Sequence, residues 1–145
     1  MTLLDINVLL ALVDPLHAHH ERAKHFFVNR HPAAWATCPI VENGFLRVLS
    51  GTGYANRVDS PKTARILLDQ MIASSSGHQF WPDDLSLRDP SLFPDLPHSK
   101  HLTDCYLLAL AVKRGGKLAT FDPRINPAWV PGGAHALMVL DPQVP

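Results

Sequence analysis

The hydrophobic pattern changes period several times along the chain, and each change marks an element. Residues 2–6 (TLLDI) form a short apolar run that predicts a buried strand. The run continues through 7–13 (NVLLALV), which predicts a helical turn or two closed by Asp14-Pro15. Ala18, Ala23, Phe26 and Phe27 recur at helical spacing and predict a helix over 17–30. A strand follows at 33–38 (AAWATC). Pro39 suits the first position of a helix that runs to about residue 49, with Gly51 and Gly53 as stop signals. Ser60-Pro61 opens another helix, with Ala64, Leu67, Leu68, Met71 and Ile72 on its apolar side. Residues 78–82 (HQFWP) predict a strand, and 83–98, rich in Pro and Asp, an irregular loop. A strong helix spans 101–114 and stops at Gly115-Gly116. The chain closes with a strand at 117–121 (KLATF), a loop, and a last strand at 135–140 (HALMVL).

Strands that alternate with helices argue an α/β fold: a parallel sheet with helices on both faces. In such sheets ligands bind beyond the carboxyl ends of the strands. Functional residues are therefore expected where a strand ends or the next helix begins.

Composition narrows the class. A chain of 145 residues with 46% hydrophobic content suits one folded domain over 1–145 and argues against disorder. The formal net charge of zero removes the global basic signature of many nucleic-acid binders, although clustered acids mask a local basic rim in any such sum. Two cysteines, Cys38 and Cys105, lie in apolar contexts and read as buried hydrophobes, not a disulfide framework. The run VLLALV is too short to span a bilayer, and with no basic residues before it resembles no signal peptide. The expected location is cytoplasmic.

Against this background four acids stand out. Asp5 ends the first strand and Asp122 ends the fourth (LATFD), so both fall on the expected binding edge. Glu42 shares a helix face with Phe45, Leu46 and Leu49, and Asp104 with Leu107, Leu108 and Ala111. A solvated acid belongs on the polar face of its helix; these two extend the apolar stripe, close to the helix start. Four acids brought together without a partner repel and desolvate one another, and a divalent cation relieves both costs. Oxygen-only ligands favour Mg²⁺ or Mn²⁺ over zinc. Asn7 and Thr120, each two residues from a strand-end acid, are the expected polar supports. Each acid taken singly has an ordinary explanation as a helix cap, a turn former or a dipole partner. Their joint placement is what favours a metal site. Asp14, Asp59, Asp83, Asp84, Asp89, Asp95 and Asp141 instead sit beside Pro, Ser or loops and read as solvated or turn residues. Nine histidines invite a zinc site, and His17/His20 and His98/His101 are spaced to share a face, but neither pair has a nearby Cys or the helical HExxH pattern.

These residues resemble a known family. LLDINVLL, the isolated Glu42, TDCYLLALA and LATFD, in this order, are similar to PIN domains, and more narrowly to VapC-type ribonuclease toxins of bacterial toxin–antitoxin pairs. The resemblance implies a doubly wound parallel sheet of about five strands. It implies Mg²⁺- or Mn²⁺-dependent cleavage of RNA phosphodiesters, a homodimer, and inhibition by a cognate VapB-type antitoxin. It makes Asp5, Glu42, Asp104 and Asp122 the acidic metal site, with Asn7 and Thr120 supporting it. Arg124, Lys100 and Arg47 are the basic residues expected to hold flanking phosphates. Two other readings compete. One keeps the fold but assigns processing of DNA or structured RNA without a toxin role. The other is a receiver-like Mg²⁺-binding signalling module, with Asp83 or Asp84 as phosphoacceptor, which would leave Glu42 and Asp104 without a role.

Overall fold

The computed structural model describes residues 1–30 and 34–143. Five short strands alternate with six helices: β1 (Thr2–Leu4), α1 (Ile6–Val13), α2 (His20–Asn29), β2 (Trp35–Thr37), α3 (Pro39–Leu49), α4 (Pro61–Ser74), β3 (His78–Phe80), α5 (Leu102–Lys113), β4 (Lys117–Thr120), α6 (Gly133–Ala136) and β5 (Leu137–Val139). Single 3-10 turns occupy Ser99–His101 and Pro127–Trp129. Each predicted strand and each predicted helix of the sequence is present; Ala33, the expected first residue of the second strand, lies outside the described residues.

All four strand pairings are parallel, and the order across the sheet is β3-β2-β1-β4-β5. The chain steps outward from β1 to β3, then returns to the other side of β1 to place β4. With right-handed crossovers this puts α1–α4 on one face and α5 and α6 on the other. The helix contacts follow the same division, α1 with α2 and α3, α3 with α4, and α5 with α6. The strand order reverses between β1 and β4, so the crevice at their carboxyl ends is the switch point where such sheets bind ligands.

Local chemistry fixes the elements that reach this crevice. Asp5 caps α1 by accepting the Ile6 N–H at 2.7 Å. Pro39 starts α3, whose next N–H, from Ile40, is taken by Asp83 Oδ2 at 3.1 Å across the fold. The Ser60 side chain caps α4 through the Thr63 N–H. Helix α5 is buried from Cys105 through Ala111, so it is a central helix with no single apolar stripe. The core is made by residues such as Leu3, Leu9, Trp35, Phe45, Leu107 and Leu118. Cys38 and Cys105 are free and buried, and burial pushes the Cys38 thiol up to about 12.

The last strand starts two residues later than expected, because Gly133–Ala136 forms the helical turn α6. Gly132 has φ +81°, and a Cβ on Gly133 would stand 2.3 Å from the Pro127 carbonyl oxygen, so the glycine pair is what lets this turn close onto the loop before it.

Candidate active site

The crevice between β1 and β4 is built by four polar residues spaced two apart on each side. Asp5, only 5% exposed, directs Oδ2 towards β4, where it accepts from Thr120 Oγ1 at 2.7 Å and from Asn7 Nδ2 at 3.3 Å. Thr120 Oγ1 in turn accepts from Asn7 Nδ2 at 3.1 Å and from the Asp122 N–H at 3.0 Å. Asn7 Oδ1 accepts the Phe121 N–H at 3.1 Å. A closed set of hydrogen bonds thus ties the end of β1 to the end of β4 and orients both acids. Asn7 and Thr120, the two polar residues singled out in the sequence, both donate to the Asp5 carboxylate.

The charges interact. Burial is the main cause that raises the Asp5 carboxyl to about 6; the Thr120 hydrogen bond opposes it, and the negative charges of Asp104 and Asp122 add to it. Asp104, in the first turn of α5, is raised by burial and by Asp122, with Arg124 opposing. Asp122 is held below the ordinary carboxylate range, chiefly by its hydrogen bonds to the Arg124 side chain. That pair is bidentate, Nε to Oδ1 at 2.9 Å and Nη2 to Oδ2 at 3.0 Å. His101 Nδ1 lies 3.9 Å from Asp104 Oδ2.

Glu42 is placed differently. Its Oε1 accepts from Thr37 Oγ1 at 2.8 Å, and Thr37 Oγ1 lies 2.9 Å from His78 Nε2. The single hydroxyl proton is spent on Glu42, so His78 Nε2 is the donor of the second bond. Burial lowers the His78 pKa, against the pull of Glu42, in keeping with a neutral ring. Glu42 is not among the charges that shift Asp5, Asp104 or Asp122. The structure therefore joins three of the four acids into one electrostatic cluster and holds the fourth on a side-chain bridge to β2 and β3. Among the described residues no three or more His, Cys, Asp or Glu side chains are already gathered closely enough to hold a metal ion.

The donor chemistry nevertheless fits a hard cation. The cluster is all carboxylate, its buried member is destabilised by burial and by its neighbours' charge, and Arg124, the cation hydrogen-bonded within the cluster, sits on Asp122 and not on Asp5. Each carboxylate keeps lone pairs beyond those its present partners use.

The expected basic residues are spread around this centre. Arg124 touches it directly. Arg47 lines a cleft of about 430 Å³ together with Asn43, Gly44, Asp83 and Thr103, the neighbour of Asp104. Lys100 is exposed in the 3-10 turn that leads into α5. The histidine pairs serve separate tasks: His20 Nδ1 meets the Ala11 carbonyl oxygen, His17 Nδ1 accepts the His19 N–H, and His98 Nδ1 accepts the Lys100 N–H. Asp83 is engaged in capping α3. Sequence reasoning missed Thr37 and His78 as partners of Glu42; the available signal was a threonine inside the apolar strand AAWATC, where a buried hydroxyl needs a partner.

The chain as a whole is similar to known proteins. The PIN domain family model matches residues 2–128. Three relatives come from Mycobacterium tuberculosis (strain ATCC 25618 / H37Rv). Ribonuclease VapC39 is 43% identical over 122 residues, covering 83% of this chain and 87% of the relative. Ribonuclease VapC44 is 40% identical over 134 residues, covering 90% and 92%. Ribonuclease VapC38 is 39% identical over 122 residues, covering 84% and 85%. With the family model matching most of its length and these relatives covering nearly all of theirs, the chain belongs to the PIN domain family, within its group of VapC ribonucleases.

Proposed function

We propose that the chain is a Mg²⁺- or Mn²⁺-dependent endoribonuclease that cleaves RNA phosphodiester bonds at the crevice between β1 and β4. The observation that carries this reading is the convergence of Asp5, Asp104 and Asp122 at the switch point, where the charges of Asp104 and Asp122 raise Asp5 and that of Asp122 raises Asp104, in a chain whose relatives are named ribonucleases. Asp5, Asp104 and Asp122 would hold the cation, and Glu42 would complete the set from the Thr37–His78 bridge. When bound, the cation supplies Lewis acidity and lowers the pKa of water.

The protein's own groups do the rest. The Thr120–Asn7 network keeps Asp5 in one orientation, so no side-chain entropy is lost when it engages its ligand. Arg124 pairs with Asp122 through Nε and Nη2, and its remaining N–H groups are free to take a substrate phosphate without breaking that pair. Lys100 and Arg47 would hold phosphates further along the strand. We assign the cellular role of a cytoplasmic toxin, working as a homodimer and held inactive by a VapB-type antitoxin. No helix among the described residues is long and apolar enough to cross a membrane.

The test is parallel expression of the wild type and Asp5→Asn, followed by mapping of new RNA ends. Growth arrest and discrete cuts are expected from the wild type alone. In vitro, cutting should stop with EDTA and return with Mg²⁺ or Mn²⁺. Cleavage that survives thorough chelation would overturn the reading.

A further inference from the structure

The acidic crevice continues into a cleft that shares Asn7, Asp122 and Arg124 with it, and whose aromatic wall the chemistry above does not use. This open cleft of about 400 Å³ adjoins Asp122 and is lined by Asn7, His17, His19, Phe121 and Arg124. Its wall is aromatic. The His17 and His19 ring centroids are 5.5 Å apart, and those of His19 and Phe121 are 4.9 Å apart with planes tilted by 31°. All three rings are half-buried, so the wall is open to a ligand. The rings come from two loops, the one before α2 and the one after β4. Each loop is fixed by hydrogen bonds: His17 Nδ1 accepts the His19 N–H at 3.0 Å, and Asn7 Oδ1 accepts the Phe121 N–H at 3.1 Å. Because its Nδ1 is an acceptor, the neutral His17 ring carries its proton on Nε2, which leaves one hydrogen-bond donor beside the stacked rings. The position of Phe121 is set directly by the acidic site, for it sits between Thr120, which orients Asp5, and Asp122.

We propose that this cleft is a nucleobase subsite, in which the base next to the scissile phosphate stacks on the His19–Phe121 wall while Arg124 holds that nucleotide's phosphate. The proposal rests on the reading of the protein as a ribonuclease. A flat heterocycle matches a ring wall, and a phosphate matches the guanidinium at its edge. Stacking tolerates any base, so the wall would position the strand, and His17 Nε2 would add what base preference the site has.

Binding tests this without requiring turnover. The full-length Asp5→Asn variant in EDTA is titrated, by fluorescence anisotropy, into a labelled single-stranded RNA that spans the mapped cut. If no cut is found, a short labelled single-stranded RNA of mixed sequence takes its place, and one sensitive position anywhere along it counts as the positive result. One abasic nucleotide is then moved along the RNA. A single position beside the cut should weaken binding about ten-fold. With Phe121→Ala added, that same abasic position should cost nothing further, while Phe121→Trp should keep the affinity. His19→Ala should weaken intact RNA but not the abasic RNA. A flat abasic scan, losses that multiply, or a Phe121→Trp variant as weak as Phe121→Ala would each overturn the subsite. The two readings fail separately. Metal-dependent cutting with a flat scan would remove the subsite alone; a positive scan with no cutting would leave the subsite and remove the nuclease.

Discussion

Asp5 carries a direct conflict: a buried carboxylate on which the Thr120 and Ile6 hydrogen bonds favour the ionised form and the charges of Asp104 and Asp122 oppose it. Its folded pKa of about 6 exceeds the 3.8 of an unperturbed Asp, so the unfolded chain releases this proton first. The contribution is therefore fully favourable below about pH 4 and is lost as pH rises to about 6, by up to about 3 kcal/mol. In EDTA, urea midpoints of the wild type should fall relative to those of Asp5→Asn across this window and then run parallel. A constant difference from pH 4 to 7 would show that Asp5 is not raised. The same logic applies to Asp104, which burial and Asp122 raise. Asp104→Asn should melt higher than wild type in EDTA, gain less from Mg²⁺, and cut RNA far more slowly. A variant less stable in EDTA yet fully active would make Asp104 a structural residue.

At the scale of elements, most of the architecture could be read from the sequence pattern, because the strands are short and bounded by Pro, Gly or a cap, and β1, β2 and β4 are largely apolar and buried, although β3 (HQF) is mostly exposed. Helix α3 was legible to the residue: Pro39 starts it and Gly51 follows its end. Helix α5 was legible from 101 to its Gly115-Gly116 stop, but the face argument for Asp104 proved too narrow, since Leu107, Leu108 and Ala111 are buried along with the residues between them, and a helix buried on all sides there has no stripe to mark Asp104's face. Helix α6 was missed because four residues hold no period, and its cause is a backbone approach that sequence does not display. Gly133→Ala would press a Cβ against the Pro127 carbonyl oxygen, a backbone atom, and should cost about 1–3 kcal/mol in chemical denaturation; a neutral result would mean that the loop yields. Asp5, Asn7, Thr120 and Asp122 were legible as a group because they sit at strand ends with alternate spacing. The Glu42–Thr37–His78 bridge was not, since it joins residues 41 positions apart on neighbouring strands. Thr37→Val keeps the shape of a fully buried side chain and deletes both bonds. It should cost about 1–2 kcal/mol and lower kcat with KM little changed, because Glu42 loses the group that orients it. A variant with wild-type kcat would show that the bridge serves only the fold.

Considered as a whole molecule, the fold concentrates polarity at one end of the sheet and leaves apolar surface elsewhere. Scattered exposed apolar residues carry no message, since much of any folded surface is apolar. Several partly buried ones are grouped here. Leu12, Val13, Phe27, Leu67 and Met71 line one groove of about 470 Å³ between α1, α2 and α4. Val28 and Ile66, next in sequence to Phe27 and Leu67, are 70% and 46% exposed. The groove gathers this apolar excess on the flank of α1, α2 and α4, and neither Asp5 nor Asp122 lines it. A second copy applied there would bury the excess and leave the acidic crevice open to RNA. Light scattering at micromolar concentration should therefore return twice the 16.0 kDa chain mass. The double variant Val28→Asp, Ile66→Asp places charge on exposed positions only, so it should shift the mass towards one chain without lowering the melting temperature of the monomer. A wild type that is monomeric under these conditions would refute the dimer. A double variant that remains dimeric would refute this flank as its interface.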